Sequence, residues 1–221
     1  MSNESVPPPR SSLAMFPLGS VLFPHAYLPL RIFEPRYRTM IEDVIGDSGT
    51  REFGVVLIER GSEVGGGDVR HTVGTVARIV EAEPQPDGGW LVIAVGVRRI
   101  TVEQWLPDDP YPRAEVTDTQ DQAPENPTDG PVETLDLDPA MATLRRVLAM
   151  CAELDEPGAP ATIELDPDPT VRLWQMCAVA PVGPVDDLRL LRAPTAAVRL
   201  GVLVELLDDE AMVLSHRLTT G

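Results

Sequence analysis

Lysine is absent from this 221-residue chain, and all eighteen of its cationic side chains are arginine. The absence has chemical force. A Walker A phosphate loop needs a lysine for the β- and γ-phosphates. A serine–lysine dyad needs a lysine base, and Schiff-base chemistry needs a lysine amine. None of the three is open to this sequence. Cysteine is scarce as well: Cys151 and Cys177 are the only two, too few for a disulfide framework. They fall on apolar helical stripes (Leu144, Val147, Leu148, Cys151, Leu154, and Leu173, Met176, Cys177, Ala180). Both are therefore expected as buried core thiols, with a bond between them left open. Aromatic residues make up only 5%, so the core should consist of Val, Leu, Ile and Ala. His25, His71 and His216 are scattered, and none has a second ligand at helix-face spacing that would suggest a zinc site. No apolar run approaches the roughly eighteen residues that a membrane span requires. The first ten residues are polar, contain Pro7-Pro8-Pro9 and lack a basic start followed by an apolar stretch. No signal peptide is indicated, and the expected compartment is the cytoplasm.

What is present is acid. The formal net charge is −17. Phosphate contacts need Lys or Arg, so this balance disfavours non-specific nucleic-acid binding and anionic membrane surfaces. It favours solubility and basic partners. With 43% hydrophobic and 24% charged residues, the composition is that of a globular protein. A chain of this length makes one large domain or two small ones and buries roughly 70% of its unfolded surface.

Periodicity divides the chain. Residues 1–11 read as a disordered tail. From 12 to 118 the pattern is β-rich, with candidate strands at Leu13–Phe16, Ala26–Ile32, Phe53–Glu59, Gly74–Glu83, Trp90–Glu103 and Arg113–Thr117, rich in β-branched residues and bounded by Gly, Pro and Asp. Asp87-Gly88-Gly89 is a hairpin signal, because glycine supplies the positive φ of tight turns. One helix, Pro35 to Ile45, interrupts the strands, its apolar face carrying Tyr37, Met40, Ile41, Val44 and Ile45. Glu34-Pro35 suits its start, since proline fits the first turn and an early carboxylate complements the dipole. Residues 119–138 are acidic and proline-broken, and read as a linker or loop longer than usual connections. From 139 to 218 the period becomes helical: Pro139–Glu153, a helix opened by Asp168-Pro169, Pro184–Arg192, and a fourth capped by Thr195 with Leu200, Leu203, Val204 and Leu207 on its apolar face.

The segment Phe16-Pro17-Leu18-Gly19-Ser20-Val21-Leu22-Phe23-Pro24, then Leu28-Pro29-Leu30-Arg31-Ile32-Phe33-Glu34-Pro35-Arg36-Tyr37, is followed in order by Phe53–Ile58, Val73–Ile79, Asp87–Trp90 and Gly96–Ile100. This series resembles the amino-terminal, substrate-binding domain of the Lon protease family, from about Leu13 to about Leu214. The resemblance implies an α+β fold, with an amino-terminal PUA-like, mostly antiparallel β-barrel followed by a carboxy-terminal helical bundle. It implies a non-enzymatic module that binds unfolded or tagged polypeptide, an adaptor in proteolysis or quality control, with a separate Lon-type protease as possible partner. The ATPase and serine–lysine peptidase that follow this domain in full Lon proteases have no counterpart in these residues.

No catalytic set, cofactor or metal site is expected. Gly65-Gly66-Gly67 has no strand–turn–helix frame and no following Lys, so a flexible hairpin is the simpler account. Ser20, Ser48, Ser62 and Ser215 lie in no nucleophile elbow. Asp186-Asp187 and Asp208-Asp209 read as solvated helix ends. Arg98 and Arg99 should point to opposite faces of a strand, one to solvent and one to a carboxylate. What remains is apolar surface. A proline-broken segment leaves backbone unpaired, and extended polypeptide is held by strand addition or in a shallow groove. Leu18, Phe23, Pro24, Tyr27 and Leu30 are the candidate groove, which the acidic loop is expected to cover. Two alternatives are an RNA-binding module, suggested by the barrel type and opposed by the charge, and a small-molecule sensor or enzyme with a pocket between barrel and bundle.

Overall fold

The computed structural model describes residues 11–61, 67, 69–122 and 131–220. The expected tail up to residue 10, Gly65, Gly66 and the centre of the acidic loop lie outside the described residues. The elements run β1 (Ser11–Leu18), β2 (Tyr27–Ile32), α1 (Pro35–Ile45), β3 (Glu52–Arg60), β4 (Val69–Pro84), β5 (Trp90–Leu106), β6 (Arg113–Thr119), α2 (Asp138–Glu153), α3 (Pro169–Val179), α4 (Pro184–Arg192) and α5 (Ala196–Thr220). A single 3-10 turn at Val132–Thr134 precedes α2. The class is α+β, as expected. The chain divides into two compact units, 27–120 together with the stretch up to Leu22, and 121 onward together with Phe23–Ala26.

The first unit holds one mixed sheet in the order β2-β5-β4-β3-β1-β6. The expectation of antiparallel pairing meets one exception, because β1 runs parallel to β3. A parallel pair needs a long crossover, and β2 with α1 supplies it. β5 is long enough to serve three neighbours. It pairs with β2 over Trp90–Val95, with β4 along most of its length, and with β6 over Arg99–Leu106. Since β6 also pairs with β1, the cycle β1-β3-β4-β5-β6 closes on itself and leaves β2 outside as an edge strand. Leu13, Met15, Val56, Val76, Ile100, Val102, Ala114 and Val116 form a buried cluster from five strands, with β1, β5 and β6 each contributing two alternate residues. Gly74 makes this close packing possible: a Cβ there would lie 2.2 Å from the Val55 carbonyl oxygen. Next to it the buried Thr75 hydroxyl donates to the Leu22 carbonyl at 2.6 Å. His71, expected just before a strand, lies inside β4.

Helices α2 to α5 belong to the second unit. Their buried faces carry Leu144, Val147, Leu148 and Cys151 on α2, Leu173, Met176 and Cys177 on α3, Leu188, Leu190 and Leu191 on α4, and Leu203, Leu207 and Leu214 on α5. The predicted caps form. The Asp168 carboxylate accepts from the Thr170 and Val171 amides at 2.9 and 3.0 Å, and the Thr195 hydroxyl accepts from the Val198 amide at 3.2 Å. At α1 the Glu34 carboxylate instead accepts from Arg36 at 3.2 Å and makes no cap.

One buried cation organises the second unit. The Arg199 guanidinium, 1% exposed, donates to both Asp121 carboxylate oxygens at 3.0 and 2.7 Å and to the Ala193 carbonyl at 3.2 Å. It also lies 3.6 Å from the Trp174 ring centroid. Beside it the Gln122 amide donates to the Pro194 carbonyl at 2.8 Å. The start of the acidic segment is thus tied to the beginning of α5.

Candidate functional site

The structure separates the five residues that the sequence put forward. Leu18 is buried at the end of β1, and Phe23 and Pro24 are buried in the short stretch assigned to the second unit. Phe23 stands 6.1 Å from the Trp174 ring. The expectation that Phe16–Pro24 leaves side chains partly exposed is therefore not met at these positions. β1 extends through Pro17 to Leu18, where its carboxy-terminal half pairs with β3, and a paired strand packs its apolar side chains instead of exposing them. Tyr27 and Leu30 are different. Both lie on the edge strand β2, Tyr27 at 75% exposure and Leu30 half-buried.

Around β2 the first unit carries an apolar outer face. Directly opposed residues share a face in an antiparallel sheet, so the pairings define cross-strand rows. Pro29, Ile93 and Glu81 form one row, and Arg31, Leu91 and Glu83 the next. Leu91 and Ile93 remain 43% and 39% exposed, and Val80, at an irregularity in β4, reaches 56%. These rows line a cleft of about 420 Å³. A second cleft of about 230 Å³, lined by Phe16, Leu18, Leu30 and Phe33 among others, shares the Pro29–Arg31 wall. Leu18 and Leu30 thus meet in one place, and Phe23 and Pro24 belong to the other unit. A proline is tolerated in β2 because an edge strand has backbone groups that need no ladder partner.

The charges around this face are ordered. Arg31 reaches Asp87 at 3.4 Å. Asp87 closes the β4–β5 hairpin by accepting from the Gly89 amide at 2.9 Å, with Gly88 at φ 78° between them. That amide, and then Arg31, hold the Asp87 carboxyl below its ordinary range. Glu81 and Glu83 make no ion pair among the described residues. Further along the sheet, Glu52 is partly desolvated, which alone would raise its pKa. Hydrogen bonds from Arg78 at 2.8 Å and Arg98 at 2.7 Å outweigh this and bring it below the usual value. Arg98 also holds Asp118 at 2.9 Å, while Arg99 is buried. The two arginines differ in burial, and Arg98, the more exposed, is held by Glu52 and Asp118.

Elsewhere several ionisable groups are buried or engaged. Burial pushes the Cys177 thiol up to about 12 and raises Cys151 as well, and both cysteines are free. Asp187, expected as a solvated helix end, is instead half-buried; desolvation, with Asp186 beside it, raises it to about 7. The Arg70 guanidinium covers Trp105 at 4.7 Å and binds Asp108 at 2.8 Å, so that ring is not a free stacking platform. Among the described residues there is no cluster of three metal-ligating side chains and no helix long and apolar enough to cross a membrane.

Sequence reasoning missed Val80, Glu81, Glu83, Leu91 and Ile93. A signal existed: Leu91-Val92-Ile93-Ala94-Val95 is apolar at every position, whereas a strand with one wet face alternates.

Known structures share this fold. The crystal structure of a Lon N-terminal domain protein from Xanthomonas campestris matches with a TM-score of 0.59 and 28% identity, covering 88% of this chain and 98% of that one. The N-terminal domain of Mycobacterium avium complex Lon protease matches in fold, with a TM-score of 0.57 at 17% identity over 90% of this chain and 99% of that one. The fold is that of Lon N-terminal domains. The model of the ATP-dependent protease La (LON) substrate-binding domain matches residues 12–209, and the chain belongs to that family. Among curated relatives, the Lon protease of Flavobacterium johnsoniae is 32% identical over 127 residues, which is 57% of this chain and 15% of that protein. The Lon protease of Desulfosudis oleivorans is 28% identical over 163 residues, 68% of this chain and 19% of that protein. The chain thus spans under a fifth of the length of these relatives.

Proposed function

We propose that this chain is a non-enzymatic polypeptide-binding module, acting as an adaptor in proteolysis or protein quality control, and that a separate Lon-type protease is its partner in the cytoplasm. In this reading the closed strand cycle is the PUA-like barrel and α2–α5 form the small bundle. One observation carries the proposal: an exposed apolar strip that runs from Tyr27 and Pro29 on the edge strand β2 to Leu91 and Ile93 on β5 and Val80 on β4. Unfolded polypeptide offers extended backbone with apolar side chains on alternate sides, and a shallow apolar cleft along a strand is the shape that accepts it. Seating an apolar side chain against Leu91 and Ile93 removes part of each from water, at about 25 cal/mol per Å² of apolar area. Several such contacts are needed for micromolar affinity, which corresponds to about −8 kcal/mol, so the strip works on segments and not on single residues.

An RNA ligand finds less support. The charge is −17, and Arg31, Arg70, Arg78, Arg98, Arg172 and Arg189 are engaged by carboxylates. The direct test is fluorescence anisotropy with a labelled, permanently unfolded polypeptide and a single-stranded RNA of similar length as control. Micromolar polypeptide binding without RNA binding is expected. Absence of polypeptide binding removes the proposal, and RNA binding that falls steeply with salt replaces it.

A further inference from the structure

We infer that the β2–β5–β4 face selects polypeptide segments by charge: its occupant is an extended segment with apolar residues at alternate positions and arginine or lysine beside them. The inference rests on the polypeptide-binding reading above and names the class of segment bound.

The carboxylates that motivate it are Glu81 and Glu83. Each is directly opposite an exposed apolar residue of β5, Glu81 opposite Ile93 and Glu83 opposite Leu91. Both line the cleft and neither is ion-paired among the described residues. They are two residues apart on one strand, so their side chains stand roughly 7 Å apart on the same face. An extended polypeptide repeats its own side chains at that interval. Basic residues two apart on a bound segment therefore meet both carboxylates while the residues packed on Leu91 and Ile93 stay in register. The cation on the other wall, Arg31, is engaged by Asp87 and does not offset the pair. The face is thus graded, apolar in the middle and acidic along β4.

Two other occupants fit less well. A second copy of this chain would bring Glu81 and Glu83 against an equally acidic surface, each copy carrying −17, and like charges at an interface are costly. An acidic polypeptide meets the same repulsion.

The experiment uses the full chain and three labelled unfolded peptides of equal length. All share the same alternating apolar residues, and the intervening positions are serine, arginine or glutamate. Affinities are read by anisotropy at low salt for the wild type and for Glu81→Gln/Glu83→Gln, with sedimentation to follow self-association. Exposed ion pairs are individually weak, so the arginine peptide is expected to bind wild type about five-fold tighter than the serine peptide. In the double variant that ratio should fall to within about two-fold. The variant alters the overall charge only slightly, so a general attraction of a basic peptide to an acidic protein would leave the ratio intact, and an intact ratio overturns the inference. Glutamate and arginine peptides binding wild type equally also overturns it, while leaving the polypeptide-binding reading in place. If none of the three binds, that reading itself fails. A stable dimer dispersed by Leu91→Arg would assign the face to a second copy and overturn the inference.

Discussion

Removing either partner of the Arg199–Asp121 pair breaks the same two hydrogen bonds, but the two deletions should not cost the same. Arg199 is 1% exposed and Asp121 35%. In Asp121→Ala the guanidinium stays buried with its charge uncompensated, retaining the Ala193 carbonyl and the Trp174 ring. Loss of one member of a buried pair costs about 3–5 kcal/mol, and the two remaining contacts place this case at the lower end, about 3 kcal/mol. In Arg199→Met the apolar side chain fills the site against Trp174, and the orphaned carboxylate, already partly solvated, turns to water. No buried charge is left uncompensated, so the cost is that of lost hydrogen bonding to a partly solvated carboxylate, about 1.5–2 kcal/mol, the low end for a charged group. Urea unfolding at neutral pH, followed by circular dichroism, gives both differences. The expected order is Asp121→Ala less stable than Arg199→Met. Equal losses, or the reverse order, would refute the argument that the buried guanidinium is the group that must be compensated.

Three further outcomes follow from the structure. The folded pKa of Asp187, about 7, lies above its reference value of 3.8. The folded state therefore holds the proton more tightly between those values, and stability declines as pH rises through that window. Thermal scans should show Asp187→Asn gaining on wild type between pH 4 and pH 8, and parallel curves would contradict the assignment. Gly74→Ala forces a Cβ to 2.2 Å from the Val55 carbonyl oxygen, so backbone must move and about 1–3 kcal/mol of stability should be lost; an unchanged urea midpoint would show that β3 and β4 separate freely there. With Cys177 pushed up to about 12 and both thiols buried, iodoacetamide at pH 8 should label neither cysteine in the native protein and both in denaturant, as mass spectrometry will report.

The elements were legible because local rules and tertiary packing agree in most of them. Pro35–Ile45 and Pro184–Arg192 have the predicted bounds, since each opens on a proline and carries a clean apolar face. Five of the six strands run longer than predicted, and β2 is one residue shorter. β4 starts at Val69 instead of Gly74 because its first residues pair with Ile58 and Arg60, a partnership that no local pattern encodes. The parallel β1–β3 pair was hidden for the same reason. The candidate site was less legible. Leu18, Phe23 and Pro24 look like surface when proline is taken to interrupt a strand, and the structure buries all three. Tyr27 and Leu30 do lie on the edge strand β2, three residues apart and so on opposite faces of it. Leu91 and Ile93 were missed because a continuous apolar run is ambiguous: it suits a strand buried on both faces as well as one that keeps a binding surface. The exposure of Leu91 and Ile93 in the folded sheet shows that one face of this run stays uncovered.

The most direct test of the account is the affinity of a labelled, permanently unfolded polypeptide for the wild type and for Leu91→Ser/Ile93→Ser, measured by anisotropy with thermal unfolding as a check on the fold. Both side chains are substantially exposed, so the variant should fold with nearly wild-type stability. The account predicts micromolar binding to the wild type and a loss of about ten-fold or more in the variant, since two buried apolar contacts disappear. Equal affinity of the two proteins for the polypeptide would contradict it and place the binding surface elsewhere on the molecule.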